Sequence, residues 1–198
     1  MKKVFITAAA SLLMMSASFA QVNWKVDASH SKLGFSVVHM MVSETEGKFK
    51  VFNGTAASKT EMDFTDAKID FTADATSINT EDPQRDGHLK SPDFFNVEKF
   101  PTITFKSTSM KLDGKGKTSY ILEGELTMHG VTKKVTFLAI GAAKTVKDPY
   151  GNTKNGFKVT GTINRKDFGL TWNAALEAGG VAVSDDVQIE LNIELNKA

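Results

Sequence analysis

Residues 187–196, VQIELNIELN, alternate without interruption. Val187, Ile189, Leu191, Ile193 and Leu195 take one side of an extended chain, and Gln188, Glu190, Asn192, Glu194 and Asn196 take the other. Alternation with period two marks a strand with one face in a core and one in water. The same grammar runs backwards through the chain. Phe157, Val159 and Ile163 form one such face, Val135, Phe137 and Ala139 another, and Tyr120, Leu122, Leu126 and Met128 a third. Earlier still come Ile103 with Phe105, then Ala67, Ile69, Phe71 and Ala73, then Leu33, Phe35 and Val37. Turn chemistry separates the runs at Asn53-Gly54, Leu112 to Gly116, His129-Gly130, Asp148 to Asn152, Asn155-Gly156 and Gly179-Gly180. Short connections between such strands imply antiparallel neighbours. The pattern predicts an all-β fold of about eight strands, each with a single apolar face. A sandwich and a closed barrel both satisfy it, but only closure removes every exposed edge.

One segment departs from the alternation. In Ile78 to Phe100, Thr80 is followed by Glu81, Asp82 and Pro83, a helix start with acids in its first turn. Pro92 ends that helix and Asp93 caps a further turn through Phe94-Phe95, so a short helical excursion is expected near residues 81–96.

Bulk properties narrow the class. Residues 1–20, MKKVFITAAASLLMMSASFA, read as a secretory signal peptide: two lysines, an apolar run, then small residues around Ser18-Phe19-Ala20. That run is shorter than the roughly 20 residues a spanning helix needs, and no later segment supplies one. Residues 21–198 then form one domain, 178 of the 198 residues, expected in a periplasm or outside the cell. Without Lys2 and Lys3, 22 basic residues face 23 acidic ones, with no concentrated basic face for nucleic acid. There is no cysteine, hence no disulfide, thiolate or N-terminal lipid attachment. The chain has 14 Phe against 2 Trp and 2 Tyr. Phe has no polar handle, so this balance implies a dry core or an apolar cavity.

Several residues carry candidate chemistry. No cysteine and no Gly-x-Ser-x-Gly elbow is present, which disfavours a nucleophilic hydrolase. His30, His39, His88 and His129 lack the spacing of paired metal ligands, although His39 follows Leu33, Phe35 and Val37 onto the inward face of a regular strand. In Arg85-Asp86-Gly87-His88-Leu89, the charges either tie strand ends together, with Gly87 relaxing a tight backbone, or present Arg85 and His88 to a ligand's polar head. Phe94-Phe95 closes or lines an apolar opening. Arg165 to Leu170, leading to Trp172, reads as a latch on the barrel end in preference to a pocket wall. Ala67, Ala73, Gly124, Ala139 and Gly161 are small residues on inward positions, and they hint at a hollow interior.

Five tracts occur in one order: Asp27 to Ser31 leading into Phe35 to His39; Arg85 to Leu89 with Asp93 to Phe95; Phe100 to Phe105; Gly124 to Lys133; and Arg165 to Leu170. Together they resemble the YceI-like family of exported polyisoprenoid-binding proteins over essentially the whole mature chain. A departure at His129, within Leu126 to Thr132, concerns a local turn. The resemblance implies an eight-stranded antiparallel lipocalin-like barrel, an apolar tunnel for a polyprenyl or quinone tail, dimers, and no catalytic residues or cofactor. An eight-stranded barrel is about wide enough to be filled by its own side chains or to hold one slim ligand.

The expected function is therefore non-enzymatic binding, storage or transport of an isoprenoid-type lipid, with transient membrane contact. The expected tunnel wall is Phe35, Val37, Phe71, Phe105, Leu122, Phe137 and Phe157; the expected mouth is Arg85, His88 and His39, with Phe94 beside it. Two rivals are a metal-dependent or redox-linked enzyme using converging histidines, and a structural stress-response barrel with a filled core. Burying a five-carbon unit from water is worth on the order of 3–4 kcal/mol before ordering costs. From a bilayer that drive nearly vanishes, so length fit and head-group contacts decide selectivity.

Overall fold

The alternating runs become strands of one antiparallel sheet in the computed structural model, which describes residues 21–177 and 179–198. The signal-peptide expectation for residues 1–20 lies outside the described residues. The strands are β1 (Val22–Val26), β2 (Lys32–His39), β3 (Ser43–Phe49), β4 (Phe52–Ser58), β5 (Lys68–Asp74) and β6 (Ile78–Asn79). The helix α1 (Pro83–Lys90) follows, then β7 (Thr102–Leu112), β8 (Ser119–Met128), β9 (Val131–Gly141), β10 (Val146–Lys147), β11 (Thr153–Asn164) and β12 (Val183–Lys197).

The twelve segments build eight staves, because three long strands are broken and the two-residue β10 adds only a short pairing at the start of β11. β1 pairs with the end of β12, Trp24 opposite Lys197, and β2 continues along the same edge, Leu33 opposite Leu191 and Phe35 opposite Ile189. Between them Asp27 to Ser31 step out of the sheet, pinned by Asp27 N–H to the Glu194 carbonyl at 2.8 Å and Glu194 N–H to Ser31 Oγ at 2.9 Å. β3 and β4 form the next stave, β5 and β6 the one after. β7, β8, β9 and β11 follow, and β11 pairs with β12 from Lys154–Asn196 to Asn164–Asp186 to close the ring. The fold is thus a closed eight-stranded antiparallel barrel of lipocalin type.

The barrel is stopped at one end. The segment between β4 and β5 folds across it and buries Phe64 at 2 % exposure, packed on Phe157 at 4.7 Å and Trp24 at 5.8 Å between ring centres. Polar groups fix this plug: Trp24 Nε1 donates to Ser58 Oγ at 2.9 Å, Tyr120 Oη to the Met62 carbonyl at 3.2 Å, and Asn155 Nδ2 to the Glu61 carbonyl at 2.8 Å. Each satisfies a buried group that would otherwise be costly.

α1 lies at the opposite end, and it is narrower than the expected 81–96 excursion. Asp82 caps it, accepting from Gln84 N–H and Arg85 N–H, and Pro83 takes the first helical position. It stops at Lys90, because Ser91 precedes Pro92 and is extended with ψ 169°. The chain then turns, Phe95 N–H reaching the Leu89 carbonyl at 3.0 Å. Gly87 does not relax a tight backbone as expected; it sits inside α1 with open space where a Cβ would stand.

Candidate ligand cavity

Inward-facing residues of β12 remain partly exposed: Val187, Ile189, Leu191 and Ile193 are all half-buried, although they face the barrel interior. The interior is hollow, in two adjoining chambers of about 170 Å³ and 240 Å³ that share Phe49, Met128, Ile163 and Ile189. A water molecule needs roughly 10–15 Å³ on that measure, so each chamber has room for a dozen or more such groups.

The hollow is kept open by a repeated pairing. Phe35, Phe71, Phe105, Phe137 and Phe157 each lie over a glycine of the neighbouring strand: Gly47, Gly54, Gly124, Gly161 and Gly141. A Cβ at any of the five would come within 3 Å of the ring above it. The rings therefore lie along the wall instead of projecting across the lumen.

The lower chamber, next to the plug, takes Phe71, Phe105, Leu122, Phe137 and Phe157 into its wall. Apart from Thr55 and Thr104, every residue lining it is apolar. The upper chamber, towards α1, takes the other expected residues, Phe35, Val37, His39, Arg85, His88 and Phe94. It reaches the surface where His39 and Arg85 are exposed. Sequence reasoning missed several lining residues, among them Phe49, Thr80 and Met128. Phe49 was readable as an apolar residue in an otherwise polar tract; Thr80 carried no signal of a lining role.

The mouth is braced by its own polar groups. Asp86, 8 % exposed, accepts from Thr80 N–H and Thr80 Oγ1, both at 2.7 Å, and from Asn79 Nδ2 at 3.3 Å. Burial pushes the Asp86 carboxyl up, but these hydrogen bonds outweigh it and hold it below the usual carboxylate range. Arg85 donates Nε to Thr80 Oγ1 and Nη2 to the Thr80 carbonyl, both at 2.8 Å. His88 stands 3.3 Å from Asp93 Oδ2 with its ring against Phe94 and Trp172, at 5.0 and 4.9 Å.

Arg165 acts as the expected latch and also lines the chamber. It is 4 % exposed and donates to the carbonyls of Leu170 at 2.5 Å, Trp172 at 2.8 Å and Ser184 at 2.9 Å. Burial lowers its pKa, opposed by Asp185 at 3.4 Å. No Asp or Glu lines the upper chamber; its polar residues are His39, Thr45, Thr80, Arg85, His88 and Arg165, set among a mostly apolar wall.

The histidines are spread over the fold. His39 and His88 line the upper chamber, while His129 occupies the β8–β9 turn, its Nδ1 3.1 Å from the Phe168 carbonyl. His30 belongs to the one three-donor grouping among the described residues, Asp27, His30 and Glu194. The ammonium of Lys154 already fills that grouping, 3.0 Å from Asp27 Oδ2 and 2.8 Å from Glu194 Oε1. Hydrogen bonds from Ser29, His30 and Lys154 hold the Asp27 carboxyl well below its usual range, and the bonds to Glu194 and Asp27 raise Lys154. The cluster pins the break between β1 and β2.

Comparison with known proteins agrees with this architecture. The UPF0312 protein of Staphylococcus aureus (strain N315) is 39% identical over 176 residues, 88% of this chain and 97% of that one. BcnA of Burkholderia cenocepacia shares the fold with a TM-score of 0.72 at 23% identity, over 85% of this chain and 98% of that chain. A polyisoprenoid binding domain from Saccharophagus degradans, implicated in plant cell wall breakdown, shares it with a TM-score of 0.60 at 15% identity, over 88% of this chain and 98% of that chain. The description of the YceI-like domain matches residues 24–195, nearly the whole barrel, and the chain belongs to the YceI-like family.

Proposed function

We propose that the protein binds one long-chain isoprenoid-type lipid, a polyprenyl compound or quinone tail, in its barrel cavity, and stores or carries it without catalysing a reaction. The observation that carries this reading is the hollow, almost wholly apolar lower chamber, stopped by Phe64 at one end and continuous at the other with a chamber that carries His39, Arg85 and His88. Such a cavity suits a molecule with a long hydrocarbon tail and a small polar head. The polyisoprenoid binding domain from Saccharophagus degradans, with the same fold, supports the same ligand class.

In this reading Phe71, Phe105, Leu122, Phe137 and Phe157 contact the tail, and Phe35 and Val37 the part nearest the head. Arg85, His39 and His88 face the head group, with Phe94 beside them. Residues 1–20 direct export, which places the barrel in a periplasm or outside the cell, where a water-filled route makes a lipid carrier useful. Pairing with a second copy, implied by the family resemblance, belongs to the same proposal.

The test is a titration of the delipidated mature protein with polyprenyl alcohols of rising length. Affinity should climb steeply with each five-carbon unit, each worth up to roughly 3–4 kcal/mol less its ordering cost, and level off once the tail outgrows the cavity. Weak binding that is indifferent to chain length would overturn the proposal.

A further inference from the structure

The cavity mouth carries a projecting apolar tip. At the β2–β3 turn, Met40, Met41 and Val42 are 44%, 62% and 84% exposed, flanked by Val38 at 41%. Across from them Val181 is 42% exposed, and Met40 N–H donates to the Ala182 carbonyl at 2.8 Å. No Asp, Glu, Lys or Arg occurs from Ser36 to Ser43 or from Gly179 to Ser184. His39, Ala182 and Val183, next in the chain to these residues, line the upper chamber. The tip is thus continuous with the wall of the cavity.

The turn itself is unfavourable for methionine. Val42 N–H closes it onto the His39 carbonyl at 3.1 Å, and Met40 and Met41 have φ of 49° and 61°. Two successive positive φ values favour Asn-Gly, and long apolar side chains there break the local rule. A feature that opposes both solubility and turn preference calls for a role outside folding.

We propose that this tip, Met40 to Val42 with Val181, is a lip that inserts into a bilayer of neutral phospholipid, so that the cavity exchanges its ligand directly with the membrane. The proposal rests on the isoprenoid-binding reading above. A bilayer fits better than a protein partner, because a stable protein interface takes about 20–30 residues a side and the tip together with Val38 offers five. An uncharged tip calls for no anionic lipid. Trp172, half-buried at the mouth, is the residue type that membrane interfaces favour. Direct exchange also spares the tail a passage through water, the costly step for a long hydrocarbon.

The experiment uses the mature protein and phosphatidylcholine vesicles carrying a polyprenyl alcohol. Transfer to the protein should rise in proportion to vesicle concentration, and a Val42→Trp variant should be quenched by brominated phosphatidylcholine. A Met40→Asn, Met41→Gly, Val42→Ser variant, which suits the turn better and keeps the barrel intact, should transfer tenfold more slowly or worse while taking up the alcohol from ethanol solution as tightly as the parent. Transfer independent of vesicle concentration, or unchanged in the triple variant, overturns the lip. So does a tip that self-associates in solution without touching vesicles. Failure of uptake from ethanol solution instead sinks the isoprenoid reading, and the brominated-lipid quenching then still decides whether the tip enters the bilayer.

Discussion

Asp86 looks at first like a catalytic acid beside Arg85 and His88, yet its hydrogen bonds give it a structural task. Its carboxylate takes both the N–H and the hydroxyl of Thr80 and an amide hydrogen of Asn79, tying α1 to the end of β6. Replacing it with Asn removes a charged acceptor and turns one oxygen into a donor. Asp86→Asn is expected to cost about 1–3 kcal/mol at neutral pH, read by denaturant unfolding. The pH dependence has a defined sign. Because the folded-state pKa is lowered, Asp86 stabilises the fold above its unfolded value of about 3.9 and loses that contribution as pH falls through the lower folded value. The acid limb of the stability curve should therefore be shallower in Asp86→Asn than in the parent. Residue types alone left the Arg85-Asp86-Gly87-His88 tract open between chemistry and bracing, since the same side chains serve both. Only the Thr80 contacts separate the two, and nothing in the spacing of Thr80 and Asp86 announced them.

At the scale of elements, alternation was legible wherever a stave runs unbroken, as in β7, β8, β9, β11 and β12. It was obscured in the stave made of β3 and β4. Phe49 and Phe52 are both inward and buried, but the break at Lys50-Val51 puts an odd number of steps between them, so the period-two phase slips. Gly47 and Gly54, on the same stave, contribute no apolar signal although they face the barrel's phenylalanines. Those glycines are nonetheless what the elements turn on. The three atoms nearest a Cβ at Gly47 would all belong to the Phe35 ring, each within 3 Å, with the Phe49 ring already 5.8 Å from Phe35. Gly47→Ala should push Phe35 off the wall into the upper chamber. The expected result is a barrel that remains folded, with roughly 1–3 kcal/mol of overpacking strain, and that binds polyprenyl alcohols at least tenfold more weakly. Unchanged affinity in the same titration would show that the ring does not guard the lumen.

For the whole molecule, one apolar face per strand is equally compatible with a filled barrel and a hollow one, since alternation records which side is inward and not how far the side chains reach. The hollow follows from cross-strand pairing of phenylalanine with glycine, a relation between neighbours that is distant in sequence for pairs such as Phe137 and Gly161. The small residues at Gly124 and Gly161 did point towards a cavity, though through a different physical route: they make beds for rings instead of empty space. The plug around Phe64 closes one end, and the mouth with His39, Arg85 and His88 and its exposed apolar tip marks the other, so the molecule has a direction. The most direct measurement of the central claim is native mass spectrometry on the protein purified without detergent, followed by organic extraction of whatever it holds. The account predicts a population heavier by one isoprenoid-type molecule, released intact by the solvent and restored when a polyprenyl compound is added back. A protein that is always empty, and that takes up no polyprenyl compound under those conditions, would contradict it.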